Sequence, residues 1–540
     1  MTIADKVKNI FPAGKNIPKG IRIAPLEQTE YLLNGRIKTW QGPAQQVFSP
    51  VSINGKNGLE RKYLGFYPLM TEKEALEALE SAVKAYDEGK GPWPTSTVEE
   101  RIARTENFVY RMKEQRSEVV KLLMWEIGKS LEDSEKEFDR TVDYIVDTLN
   151  AMKELDRASS RLAVTQGVIA QIKRAPLGVV LCMGPYNYPL NETFTTLIPA
   201  ILMGNTVVFK PPKYGVLLHR PLLEAFRDSF PKGVVNTLYG QGRRIIGPIM
   251  KTGKVDVLAF IGSSKVADIL KQQHPAPHRL RCVLGLDAKN AGIILPDADI
   301  GLAVRESLTG ALSYNGQRCT ALKILFVHRS IQKEFLEKLV AGIDSLKAGM
   351  PWEPEVKITP LPEDEKISYL ADIIADAKKH GAKVINDAGG LTNGNFVYPA
   401  VVYPANDKMR LWREEQFGPV IPVAPFDDIQ EPLKYVVDSD FGQQVSVFGS
   451  NEDTIAPMLD TLVNQVCRVN INSQCQRGPD IFPFTGRKDS AEGTLSVSDA
   501  LRVFSIRTLV AAKDSDANKR LIRNIIRKRK SKFLSTDFIL

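Results

Sequence analysis

From Thr97 onward the apolar positions Ile102, Val109, Met112, Val119, Leu123 and Ile127 recur at helical spacing until Gly128. With Ser96 and Glu99 forming a capping-box pattern ahead of them, this predicts one long amphipathic helix. After Pro176 the rhythm changes to short continuous apolar runs: Val179 to Met183, Thr206 to Phe209, Val234 to Leu238, Val255 to Phe260 and Ala291 to Leu295. Helical segments separate these runs. Such alternation predicts βαβ units around a buried parallel sheet, hence an α/β fold with a doubly wound dinucleotide-binding domain. Arg161 to Arg174 instead alternates around Gln166 and Gly167, the pattern of a projecting hairpin. No internal repeat or low-complexity block interrupts the chain.

A chain of 540 residues exceeds what one hydrophobic core supports, so more than one domain is expected. Its 43% hydrophobic and 25% charged residues are ordinary for a soluble protein. Met1 to Pro12 lacks the apolar core of a secretory signal and no apolar run reaches membrane-spanning length, so a cytoplasmic location is expected. Five scattered cysteines, Cys182, Cys282, Cys319, Cys467 and Cys475, make neither a disulfide framework nor a CxxC metal pattern. They favour free thiols in a reducing compartment, and no metal site is expected.

The net charge of +9 is unevenly spread. Residues 513–540 hold nine Lys/Arg against three Asp, a net +6, which leaves +3 for the rest. The body is nearly balanced, which argues against nucleic-acid binding. In the tail, Leu521, Ile522, Ile525 and Ile526 fall at helical spacing among basic residues. That pattern suits an anionic membrane or an acidic partner; a helix packed on the body and a solvated tail are the plainer alternatives. The KRKSK run also resembles a nuclear-localisation signal.

The tetrad Gly316, Gln317, Arg318, Cys319 reads as a nucleophilic cysteine in a tight polar loop beside a guanidinium. A thiol attacks as thiolate, and a neighbouring cation is expected to lower its pKa. Around it, SYNGQRCTALK (Ser313 to Lys323) resembles the active-cysteine segment of the aldehyde dehydrogenase superfamily. MGPYNYPLN (Met183 to Asn191), VVFKPPK (Val207 to Lys213), FIGSS (Phe260 to Ser264) and EEQFGPVIPV (Glu414 to Val423) follow the same family's pattern. The resemblance runs from about Trp93 to about Val510. RGPDIFPF (Arg477 to Phe484) and GQRC are most similar to the branch of non-phosphorylating, NADP-dependent glyceraldehyde-3-phosphate dehydrogenases.

The resemblance implies a division of the chain. Residues 1–155 and 177–286 would form the NADP-binding domain, 287–484 the α/β catalytic domain, 156–176 and 485–512 a small β oligomerisation arm, and 513–540 a basic amphipathic tail. A homo-oligomer, dimer or tetramer, follows, with the hairpin and a strand near Leu501 to Leu509 at its interface.

It also implies roles. Cys319 would be the nucleophile, with Asn187 and the Cys319 N–H stabilising the oxyanion. Lys210 would hold the adenosine ribose, Glu415 the nicotinamide ribose and Phe417 the ring. NAD-preferring relatives often place a glutamate three positions after that lysine, whereas Lys213 stands here and suits the 2′-phosphate of NADP over NAD. Gly262 and Ser263, at a strand-to-helix junction, would present N–H groups to the pyrophosphate. Arg318, Arg477 and Arg140 converging on one pocket would bind a phosphorylated aldehyde, with Tyr188 adding a hydroxyl.

One position departs from the family. Its usual general-base glutamate falls at Gly285 in the stretch LGLDAK, 34 residues before Cys319. Asp287, two residues on and so on the same face if the strand continues, is the nearest substitute; a cap beyond the strand end is its other reading. Three outcomes stay open: another carboxylate serves, hydrolysis is slow, or a thiol such as coenzyme A accepts the acyl group. The function expected is oxidation of glyceraldehyde 3-phosphate to 3-phosphoglycerate without inorganic phosphate. Another semialdehyde dehydrogenase, or a non-catalytic protein of this fold, is the alternative.

Overall fold

The computed structural model describes residues 2–56 and 58–539. The five apolar runs after Pro176 become strands Val179–Met183, Thr206–Lys210, Val235–Thr237, Val257–Ile261 and Ala291–Ile294. Buried on both faces, the first four need β-branched and apolar side chains throughout, which is why they read as unbroken runs. They join Arg281–Gly285 in one parallel sheet with Val179–Met183 at its centre. Thr206–Lys210 and Val235–Thr237 extend to one side; Val257–Ile261 and Arg281–Gly285 extend to the other. Chain direction across the sheet therefore reverses beside Val179–Met183, and a ligand crevice is expected at the carboxyl ends of the strands there.

Ala291–Ile294 belongs instead to a second, seven-stranded sheet, between Ile324–His328 and Gln444–Phe448. Val420–Phe426 and Ala400–Tyr403 continue it on one side and Arg468–Ile471 on the other, all parallel. Lys383–Val384 closes one edge antiparallel. The loop carrying Cys319 precedes the buried strand Ile324–His328.

Three boundaries differ from the sequence reading. The helix cap is Thr97, whose hydroxyl accepts the Glu100 N–H at 3.1 Å, while the Ser96 hydroxyl turns back to donate to the Trp93 carbonyl at 2.6 Å. The long helix is two, Val98–Glu114 and Arg116–Ile127, parted at Gln115, and the second ends on Gly128 at φ +69°. Leu501 lies in a short helix, Val497–Val503, started by Ser496 accepting from the Asp499 N–H; the strand begins only at Ser505.

That strand, Ser505–Lys513, pairs antiparallel with Val168–Pro176, which turns back on Ala163–Thr165 through Gln166 and Gly167 at φ +49° and +75°. Two consecutive left-handed residues match the twist of a tight hairpin. Ala491–Glu492, from the stretch assigned to the arm, instead adds an antiparallel edge to the dinucleotide-type sheet beside Gly285. Beyond the arm, Asp516–Arg527 is a helix with no buried residue. The chain then returns to the body: Gln171 Nε2 donates to the Ser535 carbonyl at 2.6 Å and Ser160 Oγ to the Asp537 carbonyl at 3.0 Å. Among the described residues no helix is long and apolar enough to cross a membrane.

Candidate active site

A cavity of about 1630 Å³ opens at the carboxyl ends of the strands, where the chain direction reverses, and it is lined by all thirteen residues named above. Cys319 follows the helix Ile300–Leu312 and a turn in which Tyr314, Asn315 and Gly316 have φ of +48°, +57° and +72°. A β-carbon on Gly316 would sit 2.7 Å from the carbonyl oxygens of Ala311 and Gly418, so only glycine fits. Asn315 clamps the turn by accepting the Thr359 N–H at 2.9 Å. The Cys319 carbonyl accepts from Asn290 Nδ2 at 2.8 Å and from Lys323 Nζ at 2.7 Å. Its own N–H has no partner among the described residues.

The thiol differs from the expectation of a lowered pKa. Burial pushes it above its ordinary value, and the charge of Glu192 adds to that; Lys323 and Arg477 oppose the shift. The cations that oppose the shift, Lys323 and Arg477, are brought in by the fold from elsewhere in the chain.

Asn187 sits on the loop after Val179–Met183, buried, with Nδ2 donating to the Gln317 carbonyl at 2.8 Å. Its second amide hydrogen has no partner among the described residues. The loop is pinned by a fully buried ion pair. Lys129, in contact with Glu137, donates to the Asn187 carbonyl at 2.9 Å, while Glu137 Oε1 accepts the Leu190 and Asn191 N–H groups at 3.1 and 3.2 Å. The same ammonium lies 3.5 Å from the centre of the Tyr188 ring. Lys129, just ahead of the helix Leu131–Ser159, and Glu137 within it give no sequence signal that distinguishes them from a surface pair.

On the other side of the cavity, Lys210 ends its strand half-buried and donates to the Pro211 carbonyl at 2.9 Å; desolvation lowers its pKa to about 8. Lys213, Arg243 and Lys265 line the same end, with Gly262 and Ser263 at the start of the helix Ser264–Gln273. Glu415 lies half-buried opposite, its Oε1 2.9 Å from Lys323 Nζ and accepting the Ala288 N–H at 3.2 Å. Phe417, at φ +46°, lies beside it, and Tyr186 meets its ring edge-on at 5.9 Å. Cations with no carboxylate partner among the described residues at one end and a carboxylate at the other are the donor set a phosphorylated dinucleotide needs, and these residues fit it.

Asp287 is placed as a cap. The strand stops at Gly285, so the face-sharing alternation ends before it, and Asp287 Oδ2 accepts both the N–H and the hydroxyl of Ser264 at 2.8 Å. Gly285 itself lines the cavity, and the nearest atoms an added β-carbon would meet are those of Ile261, at an ordinary 3.5 Å.

The three arginines line the cavity with unequal freedom. Arg140 is clamped on Asp480 by contacts of 2.9 and 2.7 Å. Arg477 pairs with Glu192 and, at 3.2 Å, with Asp480. Arg318 donates to the Cys475 carbonyl at 3.2 Å and has no carboxylate partner among the described residues; its Nε is buried without a bond. Glu192 and Lys323 were not foreseen from the sequence. The available signals were a carboxylate in the otherwise uncharged helix Asn191–Leu202 and a lysine leading directly into the apolar strand Ile324–His328.

A thiol, an amide donor and a cation-lined crevice share one cavity at the strand ends of a dinucleotide-binding fold, the arrangement of a dehydrogenase. The chain belongs to the aldehyde dehydrogenase family, whose sequence pattern matches residues 51–509. It is 32% identical to the NADP-dependent glyceraldehyde-3-phosphate dehydrogenase of Streptococcus equinus over 84% of this chain and 92% of that one. The enzyme of the same name from Apium graveolens is 30% identical over 82% and 88%. In structure it is similar to the Bacillus halodurans C-125 NADP-dependent glyceraldehyde-3-phosphate dehydrogenase complexed with NADP, with a TM-score of 0.82 and 28% identity, over 91% of this chain and 100% of that one.

Proposed function

We propose that this enzyme oxidises glyceraldehyde 3-phosphate to 3-phosphoglycerate with NADP, through an acyl thioester on Cys319 and without inorganic phosphate. The observation that carries the reading is the meeting of Cys319, Asn187 and three guanidiniums in one cavity, supported by relatives of that name. In this scheme the Cys319 thiol gives its proton to solvent water and its sulfur adds to the aldehyde carbon. Asn187 Nδ2 and the Cys319 N–H donate to the oxygen as it gains charge. Lys210, Lys213, Gly262, Ser263, Glu415 and Phe417 would hold NADP, which when bound accepts the hydride released from that carbon. Arg318, Arg477, Arg140 and Tyr188 orient the phosphate end.

Water then adds to the thioester carbon, loses a proton, and the C–S bond breaks to return the thiolate. With glycine at position 285 and Asp287 committed to Ser264, no carboxylate is dedicated to that proton, so deacylation is the slow step. The same feature favours a second reading, in which a thiol such as coenzyme A takes the acyl group. NADPH formation with glyceraldehyde 3-phosphate, with and without coenzyme A and against a Cys319→Ser control, separates the two. Turnover in water alone supports hydrolysis; turnover only with coenzyme A supports acyl transfer.

The assignment of 287–484 as the catalytic domain and of the arm to homo-oligomer assembly belongs to the same proposal. Exposed Val164, Val168, Ile506 and Leu509 on the arm support it. A cytoplasmic setting suits five free cysteines. The tail helix, with Leu521 exposed among its cations, is read as a contact for an anionic membrane or acidic partner.

A further inference from the structure

Glu192 enters the cavity from the first turn of the helix Asn191–Leu202, five residues after Asn187. Its side chain is 10% exposed and that of its partner Arg477 is 5% exposed. One carboxylate oxygen, Oε2, contacts Arg477 Nη1, while Oε1 has no hydrogen-bond partner among the described residues. A carboxylate is costly to bury alone, and here Arg477 compensates it. The groups Arg140, Asp480, Arg477 and Glu192 thus form a continuous chain of ion pairs with two positive and two negative charges.

That arrangement bears on what the pocket accepts. A phosphate arriving at Arg477 meets a guanidinium already paired with two carboxylates, Glu192 and Asp480. Arg318 carries no such partner, so an anionic group meets its first uncompensated cation there. A neutral hydroxyl, in contrast, finds in Oε1 an acceptor that needs no rearrangement.

We propose that Glu192 is a specificity-determining residue: an internal anion that holds Arg477, so that a substrate phosphate gains Arg477 only by displacing it. Glu192 thereby lowers the enzyme's preference for phosphorylated over unphosphorylated hydroxyaldehydes. The inference rests on the reading above, that the anionic end of the aldehyde lies toward the arginines.

The test uses full-length protein. In a Cys319→Ser background, sn-glycerol 3-phosphate and glycerol are titrated calorimetrically into protein with Glu192, Glu192→Gln or Glu192→Leu. In the Cys319 enzyme the same variants are assayed with glyceraldehyde 3-phosphate and glyceraldehyde. Both variants should bind glycerol 3-phosphate about tenfold more tightly, the scale of one charge-assisted contact. The ratio of kcat/KM for the phosphorylated over the plain aldehyde should rise by a similar factor, through KM. Unchanged or weaker binding of glycerol 3-phosphate in the near-isosteric Glu192→Gln would overturn the proposal. If the wild-type enzyme oxidises no phosphorylated aldehyde, the functional reading fails, while the glycerol 3-phosphate titration still reports on Glu192.

Discussion

The buried ammonium of Lys323 donates to the carbonyl oxygen of Cys319 at 2.7 Å, and the same nitrogen lies 2.9 Å from Glu415 Oε1. One cation therefore fixes the nucleophile loop, favours the thiolate and balances the carboxylate on the cofactor side. Replacing it by Met removes all three effects and leaves Glu415 half-buried without its cation. Lys323→Met is expected to cost about 3 kcal/mol of stability and to reduce kcat/KM about 100-fold. Alkylation of Cys319 by iodoacetamide should need a higher pH than in the wild type. An unchanged alkylation profile would show that Lys323 does not act on the thiol.

The thiol itself gives the second prediction. Burial first, then Glu192 and Glu415, raise its pKa, with Lys323 and Arg477 in opposition. Since the thiolate is the reactive form, acylation should climb with pH and still be rising at about 8.5, where an ordinary cysteine is half ionised. Glu192→Gln removes a negative charge that raises the pKa, so its alkaline limb should shift to lower pH. Single-turnover rates between neutral and alkaline pH check both; a plateau already reached at neutral pH would contradict the first.

Gly285 offers a gain-of-function test. Its backbone is not left-handed and a β-carbon there makes only ordinary contact with Ile261. Gly285→Glu should fold, place a carboxylate at the family's base position and raise steady turnover about tenfold or more, at the low end or below what a positioned base supplies. A folded variant with an unchanged steady rate would mean that deacylation does not limit the enzyme.

Lys213 lines the cavity with its ammonium 4.8 Å from the Tyr214 ring centre. Lys213→Glu exchanges a cation suited to a 2′-phosphate for an anion that repels it. The kcat/KM for NADP should fall about 100-fold relative to NAD, the order of two lost charge contacts. An unaltered cofactor ratio would place the 2′-phosphate against other cations, Arg243 or Lys265.

Much of this was legible because periodicity reports burial. Val179–Met183 and its neighbours read as strands since both their faces are covered, and Gln166-Gly167 read as a turn because its backbone needs two left-handed residues. The missed details were tertiary. Ser96 looks like a cap, yet its hydroxyl turns back to Trp93, and Asp287 looks like a strand-face base until the strand ends at Gly285 and Ser264 takes the carboxylate. Glu192 and Lys323 are unremarkable in sequence; their importance comes from partners at Arg477 and Glu415, 285 and 92 positions away. The three arginines were found as a set, but the carboxylates that already hold two of them belong to the folded chain.

The most direct measurement is the time course of NADPH formation in the first turnover, with glyceraldehyde 3-phosphate, NADP and water as the only acyl acceptor. A burst equal to the concentration of active sites, followed by slower steady turnover and absent in Cys319→Ser, is the predicted result. Undiminished turnover in Cys319→Ser, or no NADPH at all from the wild type, would contradict covalent oxidation of this aldehyde at Cys319.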